Sequence, residues 1–479
     1  MPSIVYKEDD NGNTYAYEVI SYWDKNEKKA KKKWNYLGKP TATGEIKKDK
    51  DIKKENSLLN LRSELILDFG TTFIIDEHLK QMPFYNMLKE IFKEDFDTLM
   101  SLVCFKLQTS AAFKYANSWQ SGNYSNILYK KANMASQRIS EFLDRIGKEE
   151  LNRLFFNTYL TIVTDGTVST LIDSTGIPNQ INFDLKAWSK HSGTLEEETR
   201  LLYVIDRKTK MPIFYRYMAG NIIDVSTLTN TILELKEHSI TVDYSIVDAG
   251  YYSEDNIKLL YRNNISFLTR LPYGRSLYKD IINKHSKNME KAEYCVTYGK
   301  RVLYIKKINI KLFGFPGYAY VILDIKRNAD ETSKYILRAK EDKLSNETID
   351  EELNNKGKLI FISNEDIRTD EILELYYTRQ RVENIFGSLK SVVDLLPVRV
   401  HNIDTFRGYL LLNFISLIVE LQLQNNLVKK HTIDELIYET NKLKCKVYDD
   451  KVLVMEENKI TKEILKLLNI KLDPIIKIS

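Results

Sequence analysis

The sequence predicts a mixed α/β protein: a sheet flanked by helices, carrying a β-rich insertion and preceded by a small β segment and a helical region. Three observations lead there. Between Val168 and Leu271, short apolar or alternating runs and amphipathic runs follow one another as β-β-β-α-β-α-β, the order of a mixed sheet that opens on a hairpin. From about Ser57 to Leu160 the apolar spacing is helical. Residues 273–357 are rich in strand-forming residues cut by Gly and Pro turns.

At 479 residues the chain exceeds one ordinary core, and roughly two to four folded units are expected. We divide it as 1–56, an N-terminal β and basic segment; 57–160, helical; 161–272, the first part of the main α/β core; 273–357, the insertion; 358–425, the second part of that core; and 426–479, a helical tail. An apolar fraction of 43% with 29% charged residues is that of a soluble globular protein. A net charge of +5 is small for this length, so it permits nucleic-acid binding without requiring it. Cys104, Cys295 and Cys445 lie far apart without zinc-ligand spacing, which suits a reducing compartment. The charged amino terminus has no signal-peptide core, and the apolar stretch Tyr409–Leu423, interrupted by Asn413 and Glu420, reads as a buried helix rather than a membrane span. A cytoplasmic protein is expected.

Taken in order, Tyr15 to Trp23 reads as a strand, turning through Asp24, Lys25 and Asn26 into a second strand from Lys29 to Trp34. About a dozen lysines fall between Lys25 and Lys54. Two readings stand side by side: a solvated charge run, or an arm that gains affinity by displacing counterions from DNA phosphates. Phe73 to Phe92, Phe96 to Leu107 and the segment after Ser136 carry helical periodicity, which suits either scaffold or a DNA-end reader. Val168 to Asp173 is then a strand, and Arg200–Asp206 with Pro212–Met218 form a hairpin. Asp224–Glu237 and Glu254–Arg262 are helices, and Tyr244–Asp248 and Ile265–Leu271 are strands. In the insertion, Tyr294–Tyr298, Arg301–Ile308 and Tyr318–Leu323 are strands. Leu359–Ser363 is another, followed by a long helix near Glu371 to Lys390 and an apolar helix beyond Phe406.

The helix Glu371–Lys390 carries the candidate chemistry. Taking Glu383 as zero and roughly 100° per residue, Tyr376 and Lys390 lie about 20° to either side and Arg379 about 40° away. All four share one face beside an apolar sector containing Val382, Ile385, Phe386 and Leu389. A carboxylate flanked by two cations and a phenol suits a phosphate-and-metal site, with Glu383 on a hard cation and Arg379 and Lys390 on phosphate oxygens. An intrahelical Arg379–Glu383 ion pair with a solvated Lys390 explains the same spacing, and the helix alone leaves both open.

Tyr-x2-Arg-x3-Glu-x6-Lys resembles the signature of bacterial insertion-sequence DDE transposases of the insertion-sequence-four-like superfamily, and all four positions match without a gap. LIFISNED precedes this helix, RQRVENIFGSLK lies within it, and Pro397-Val398 and His401 follow. Upstream, LIDST at Leu171–Thr175 resembles that family's first-aspartate strand, MAGNIID at Met218–Asp224 its Gly-Asn turn, and IVDAGYYSEDNI at Ile246–Ile257 its second-aspartate motif. The resemblance covers roughly residues 165–425. It implies an RNase H-like catalytic domain in which Asp173, Asp248 and Glu383 are the catalytic and metal-binding triad. Mg²⁺ is implied as cofactor, with two ions and Mn²⁺ as substitute, and Tyr376, Arg379 and Lys390 are implied to hold DNA. The implied partners are double-stranded DNA, as terminal inverted repeats and target, and a second copy of the chain, with no membrane, in the nucleoid-associated cytoplasm of a bacterium. The sequence departs from some members in having no tryptophan after Trp188.

Other polar residues have plainer readings. Asp165 belongs to an Asp-Gly turn, Asp206 to a hairpin end, and Asp224 to a helix N-cap. Lys190, in the patch Trp188-Ser189-Lys190-His191, is a candidate phosphate contact, while His191 is a poor ligand for a hard metal. Tyr251 and Tyr252 read as core. Two other activities share these residues: an RNase H-like nuclease that cuts without strand transfer, and a transposase-derived protein that binds DNA without reacting.

Overall fold

The computed structural model describes residues 2–10, 12–25, 27–40, 44–48, 65–178, 185–190, 194–342, 345–391, 400, 402–427 and 430–478. Two compact units emerge: Met1–Leu67 with Lys444–Glu456 and Asp473–Ser479, and Asp68–Leu443 with Glu457–Leu472.

The first unit holds two small sheets. β1 (Ser3–Glu8), β2 (Thr14–Asp24), β3 (Lys29–Pro40) and β4 (Ile46–Lys47) form an antiparallel meander in chain order. The expected strand pair is present, extended at both ends of β2 and by six residues at the end of β3, with β1 added in front. The second sheet runs β18-β17-β16-β5, from β5 (Leu65–Asp68), β16 (Lys444–Val447), β17 (Lys451–Val454) and β18 (Ile475–Lys477). The segment read as a helical tail therefore contains three strands besides the helices Ile433–Thr440 and Lys459–Leu467. Strands of three or four residues are too short to impose a visible alternation.

The second unit is a mixed α/β fold around a sheet of ten strands, ordered β12-β13-β14-β15-β11-β10-β6-β8-β7 with β9 also on β8. β6 (Thr167–Pro178), β10 (Thr241–Val247) and β11 (Ser266–Arg270) are parallel. β7 (Ala187–Ser189), β8 (Glu196–Asp206) and β9 (Pro212–Ala219) pair antiparallel. β12 (Cys295–Tyr298), β13 (Arg301–Leu312), β14 (Phe315–Asp324) and β15 (Lys358–Ser363) continue the sheet beyond β11. The β-rich residues 273–357 thus lengthen the central sheet. Ala319 to Asp324 of β14 are all buried, as a strand covered on both faces requires.

Between β14 and β15 stands a helix absent from the sequence reading, Ile325–Glu341. Only Ala339 of it is buried, so it leaves almost no apolar period to read. Local polar terms hold it instead: Asp324 caps its start by accepting from the Arg327 amide at 3.1 Å, and Arg327 pairs with Glu331 at 2.6 Å.

One helix organises the core. Ile403–Asn426 is long and apolar enough to cross a membrane, yet 89% of its apolar window is buried inside the protein. Phe414 meets Phe156, Tyr159, Tyr203 and Tyr215 with ring centroids 5.2–5.9 Å apart, locking this helix and Glu149–Val163 to β8 and β9. Against the helix Ser136–Ile146 the approach is backbone to backbone. A Cβ on Gly408 would stand 1.9 Å from the Leu143 carbonyl oxygen, and one on Gly147 would stand 1.8 Å from that of Asp404. A glycine in a helix interior costs about 1 kcal/mol relative to alanine; here the close packing it permits offsets that.

Candidate active site

β10 and β6 run parallel, with Val247 opposite Ile172. The next residues along the two chains are Asp248 and Asp173, and the Asp248 charge acts on the Asp173 carboxyl. β10 stops there because the chain turns through the short 3₁₀ segment Ala249–Tyr251, whereas β6 continues to Pro178. Asp173 therefore lies within its strand, not at the strand end that the sequence suggested. The Asp248 carbonyl is held by the Tyr251 amide at 3.0 Å and the Thr269 hydroxyl at 3.2 Å.

The third carboxylate arrives on a broken helix. Instead of one helix from Glu371 to Lys390 there are two, Ile372–Tyr377 and Gln380–Ser391. At the join, Arg381 and Val382 donate to Thr378 and Arg379, three residues back, at 3.0 and 2.8 Å, while the Thr378 hydroxyl donates to the Leu375 carbonyl at 2.6 Å. That tighter winding, with a side chain competing for the ladder, ends the first helix.

Arg379, at the join, reaches all three carboxylates. Its Nη1 is 2.6 Å from Asp173 Oδ2, and its Nη2 is 3.0 Å from Glu383 Oε1 and 3.9 Å from Asp248 Oδ1. Exposure rises from 16% at Arg379 and 17% at Asp173 to 35% at Asp248 and 51% at Glu383, so the cluster opens outward from its cation. The Tyr376 hydroxyl donates to Asp248 Oδ1 at 3.2 Å, and its ring stacks on Phe361 with centroids 4.2 Å apart. Burial, then the Asp248 charge, pushes the Tyr376 phenol well above its ordinary range, so it remains a donor.

Asp173 is pushed up to about 6, first by burial, with Asp248 and Asp224 adding repulsion; Arg379 and the Ser174 amide pull the other way. Asp224 was read as a helix cap, and this is corrected. Its Oδ1 accepts from the Ser174 hydroxyl at 2.6 Å and lies 3.4 Å from Arg200 Nη1, and no side chain caps the helix Thr227–Glu237. Asp224 is thus a fourth carboxylate beside the first. A Cβ on Gly250 would meet Asp224 Oδ2 at 3.1 Å, so the turn after Asp248 packs closely on Asp224. The sequence signal was available: Asp224 closes the quoted MAGNIID motif.

Lys190 is exposed just past β7. Ser189 pairs with Glu196 and Asp173 with Tyr203, so the two positions are seven residues apart along β8, roughly 23 Å at 3.3 Å per residue. The structure does not bring Lys190 to the cluster. The Lys390 side chain, His191, Pro397, Val398 and His401 lie outside the described residues. Tyr251 and Tyr252 are buried, as read.

For a metal, the donor chemistry is that of a hard cation: carboxylate oxygens only. Among the described residues no three Asp, Glu, His or Cys side chains gather closely enough to hold an ion. The charge between Asp173, Asp248 and Glu383 is supplied by Arg379, whose buried Nε has no partner among those residues. The donor types fit a divalent ion, and Arg379 must give way for one to be held.

The family model of the transposase DDE domain matches residues 165–419, just over half the chain and including Asp173, Asp248 and Glu383; the chain belongs to that family. Among solved structures it is similar to a cryo-EM structure of the piggyBac transposase synaptic complex with hairpin DNA, at 10% identity and a TM-score of 0.40, over 75% of this chain and 70% of that one. No curated protein sequence matches.

Proposed function

We propose that this protein is a metal-dependent DDE transposase that cuts DNA at the ends of an insertion sequence and joins them to target DNA. The observation that carries it is that Asp173, Asp248 and Glu383, from three different segments, meet at one guanidinium. The strand order β9-β8-β6-β10-β11, antiparallel in its first half and parallel in its second, supports an RNase H-like core. The Tyr-x2-Arg-x3-Glu-x6-Lys spacing supports the insertion-sequence-four-like affiliation.

In this reading Asp173, Asp248 and Glu383 hold divalent metal, Mg²⁺ or Mn²⁺, as two ions. Bound there, such ions activate an attacking oxygen and stabilise a leaving one. The first reaction is attack of water on a phosphodiester, which breaks the P–O bond to the 3′ oxygen and frees a 3′-hydroxyl. In the second, that hydroxyl attacks a target phosphodiester, so each P–O bond broken is replaced by one formed. Tyr376 acts through Asp248, fixing the carboxylate by donating to it. Arg379, displaced from the carboxylates, takes DNA phosphate, and Lys390 does the same. Residues 57–160 serve as the DNA-end-binding region, and the working unit is a dimer in bacterial cytoplasm, on double-stranded DNA.

The test incubates the protein with DNA carrying the element's ends in Mg²⁺ or Mn²⁺ and scores cut and joined products for wild type and Glu383→Ala. Joining that is lost in the variant is expected. Cutting without joining would make the protein a nuclease, and DNA binding with neither would leave it a non-catalytic relative.

A further inference from the structure

The N-terminal meander has two unlike faces. Tyr17 sits opposite Val5 and Tyr36, and Val19 opposite Trp34. With the alternation of strands, one face carries Tyr15, Tyr17, Trp34 and Tyr36 together with Lys7 and Lys39. The rings form a continuous ribbon: Tyr15 to Tyr36 at 6.2 Å, Tyr36 to Tyr17 at 5.6 Å, Tyr17 to Trp34 at 6.0 Å. The Lys7 ammonium stands 4.3 Å over the Trp34 ring and that of Lys39 5.0 Å over Tyr15. Trp34 and Tyr36 are each 41% exposed. The acidic residues within these strands, Glu8, Glu18 and Asp24, alternate to the opposite face, where Glu18 accepts from Asn35 and Asp24 pairs with Lys31, while Asp9, between β1 and β2, accepts from the Tyr15 hydroxyl at 3.1 Å at one end of the ribbon.

Cross-strand aromatic pairs stabilise a small sheet by themselves, but that role does not need ammonium groups over the rings. Flat rings for bases and cations for phosphates are what an unpaired nucleic-acid strand requires. A duplex would offer this face phosphates but no base surface. We propose that this face binds single-stranded DNA, with bases stacked on Trp34 and Tyr36 and phosphates held by Lys7 and Lys39. That the strand is DNA rests on the proposed function; the stacking and the charge do not.

The experiment measures anisotropy of fluorescein-labelled oligo-dT with the full chain in EDTA, so that no cleavage occurs. Trp34→Ala is expected to weaken binding about tenfold, within the range for loss of one stacked base, and Trp34→Phe to keep most of it. Lys7→Gln with Lys39→Gln should reduce the salt slope by roughly 1.4, the value for two single-strand phosphates. Melting curves show that each variant is folded. Oligo-dT binding by folded Trp34→Ala equal to wild type overturns the proposal, as does no binding by wild type, tighter binding of duplex, or preference for oligo-U. Loss of self-association in Trp34→Ala with binding intact would assign the face to a second copy instead. Oligo-dT binding is read in EDTA and joining in Mg²⁺, so a failed joining reaction and a failed binding face are told apart.

Discussion

In β10 the four consecutive residues Tyr244 to Val247 are all buried, whereas in β2 the four residues Ile20 to Trp23 are all exposed. Both are strands rich in aromatic and β-branched residues. The difference lies in what covers them. β10 sits mid-sheet between β6 and β11, with helices packed on the sheet. On the neighbouring β6 burial does chemical work: it pushes Asp173 up to about 6, beside an arginine that three carboxylates share. In the meander, by contrast, Trp34 and Tyr36 are each 41% exposed. Covered strands in this protein shift protonation, and open ones offer surface.

Four substitutions sharpen or break that contrast. The largest effect is expected for Asp248→Ala, which should bring DNA cutting and joining to background while DNA binding, read by gel shift, persists; retained cutting would place the chemistry elsewhere. Next is Gly408→Ala. A methyl group 1.9 Å from a carbonyl oxygen forces two packed helices apart, and we expect a loss of about 3 kcal/mol in urea unfolding. An unchanged midpoint would show that the core is looser than described.

Glu420 sits 2% exposed on the core helix, and burial pushes its carboxyl up to about 7, against smaller lowering by Ser388 and Arg381. Its folded value lies above its ordinary 4.5. Its stabilising contribution is therefore full below about pH 4.5 and is lost as pH rises through about 7. Glu420→Gln should remove this slope and raise stability at pH 8 by on the order of 3 kcal/mol, while changing little at pH 4.5; equal effects at both values would show that Glu420 does not titrate with folding. The smallest effect is expected at the meander, where Trp34→Ala should cost about 1 kcal/mol or less. A loss as large as that of Gly408→Ala would mean that Trp34 is structural core.

How much was legible follows from the same contrast. Strands around Asp173 and Asp248 and the spacing of Tyr376, Arg379 and Glu383 could be read because apolar periods and motif spacing are local. The break at Thr378–Arg379 was hidden, since it depends on the Thr378 hydroxyl taking the Leu375 carbonyl. The MAGNIID motif marked Asp224, but not its contacts. Its partners Ser174 and Arg200 lie 50 and 24 residues away along the chain, and a helix start after it offered a sufficient local reason. The helix Ile325–Glu341 escaped because caps and ion pairs hold it, and the separation of Lys190 from Asp173 along β8 could not be read without the strand pairing.

The second small sheet joins β5, at residues 65–68, to β16, which begins at residue 444. At about 5–20 residues per second of translation, β5 leaves the ribosome roughly 20 to 75 seconds before its neighbour exists. Until then it is an edge strand whose Leu65 and Ile66 can template pairing with another nascent chain. Crowded polysomes and late ribosome stalling are therefore the circumstances in which this protein is most exposed to aggregation.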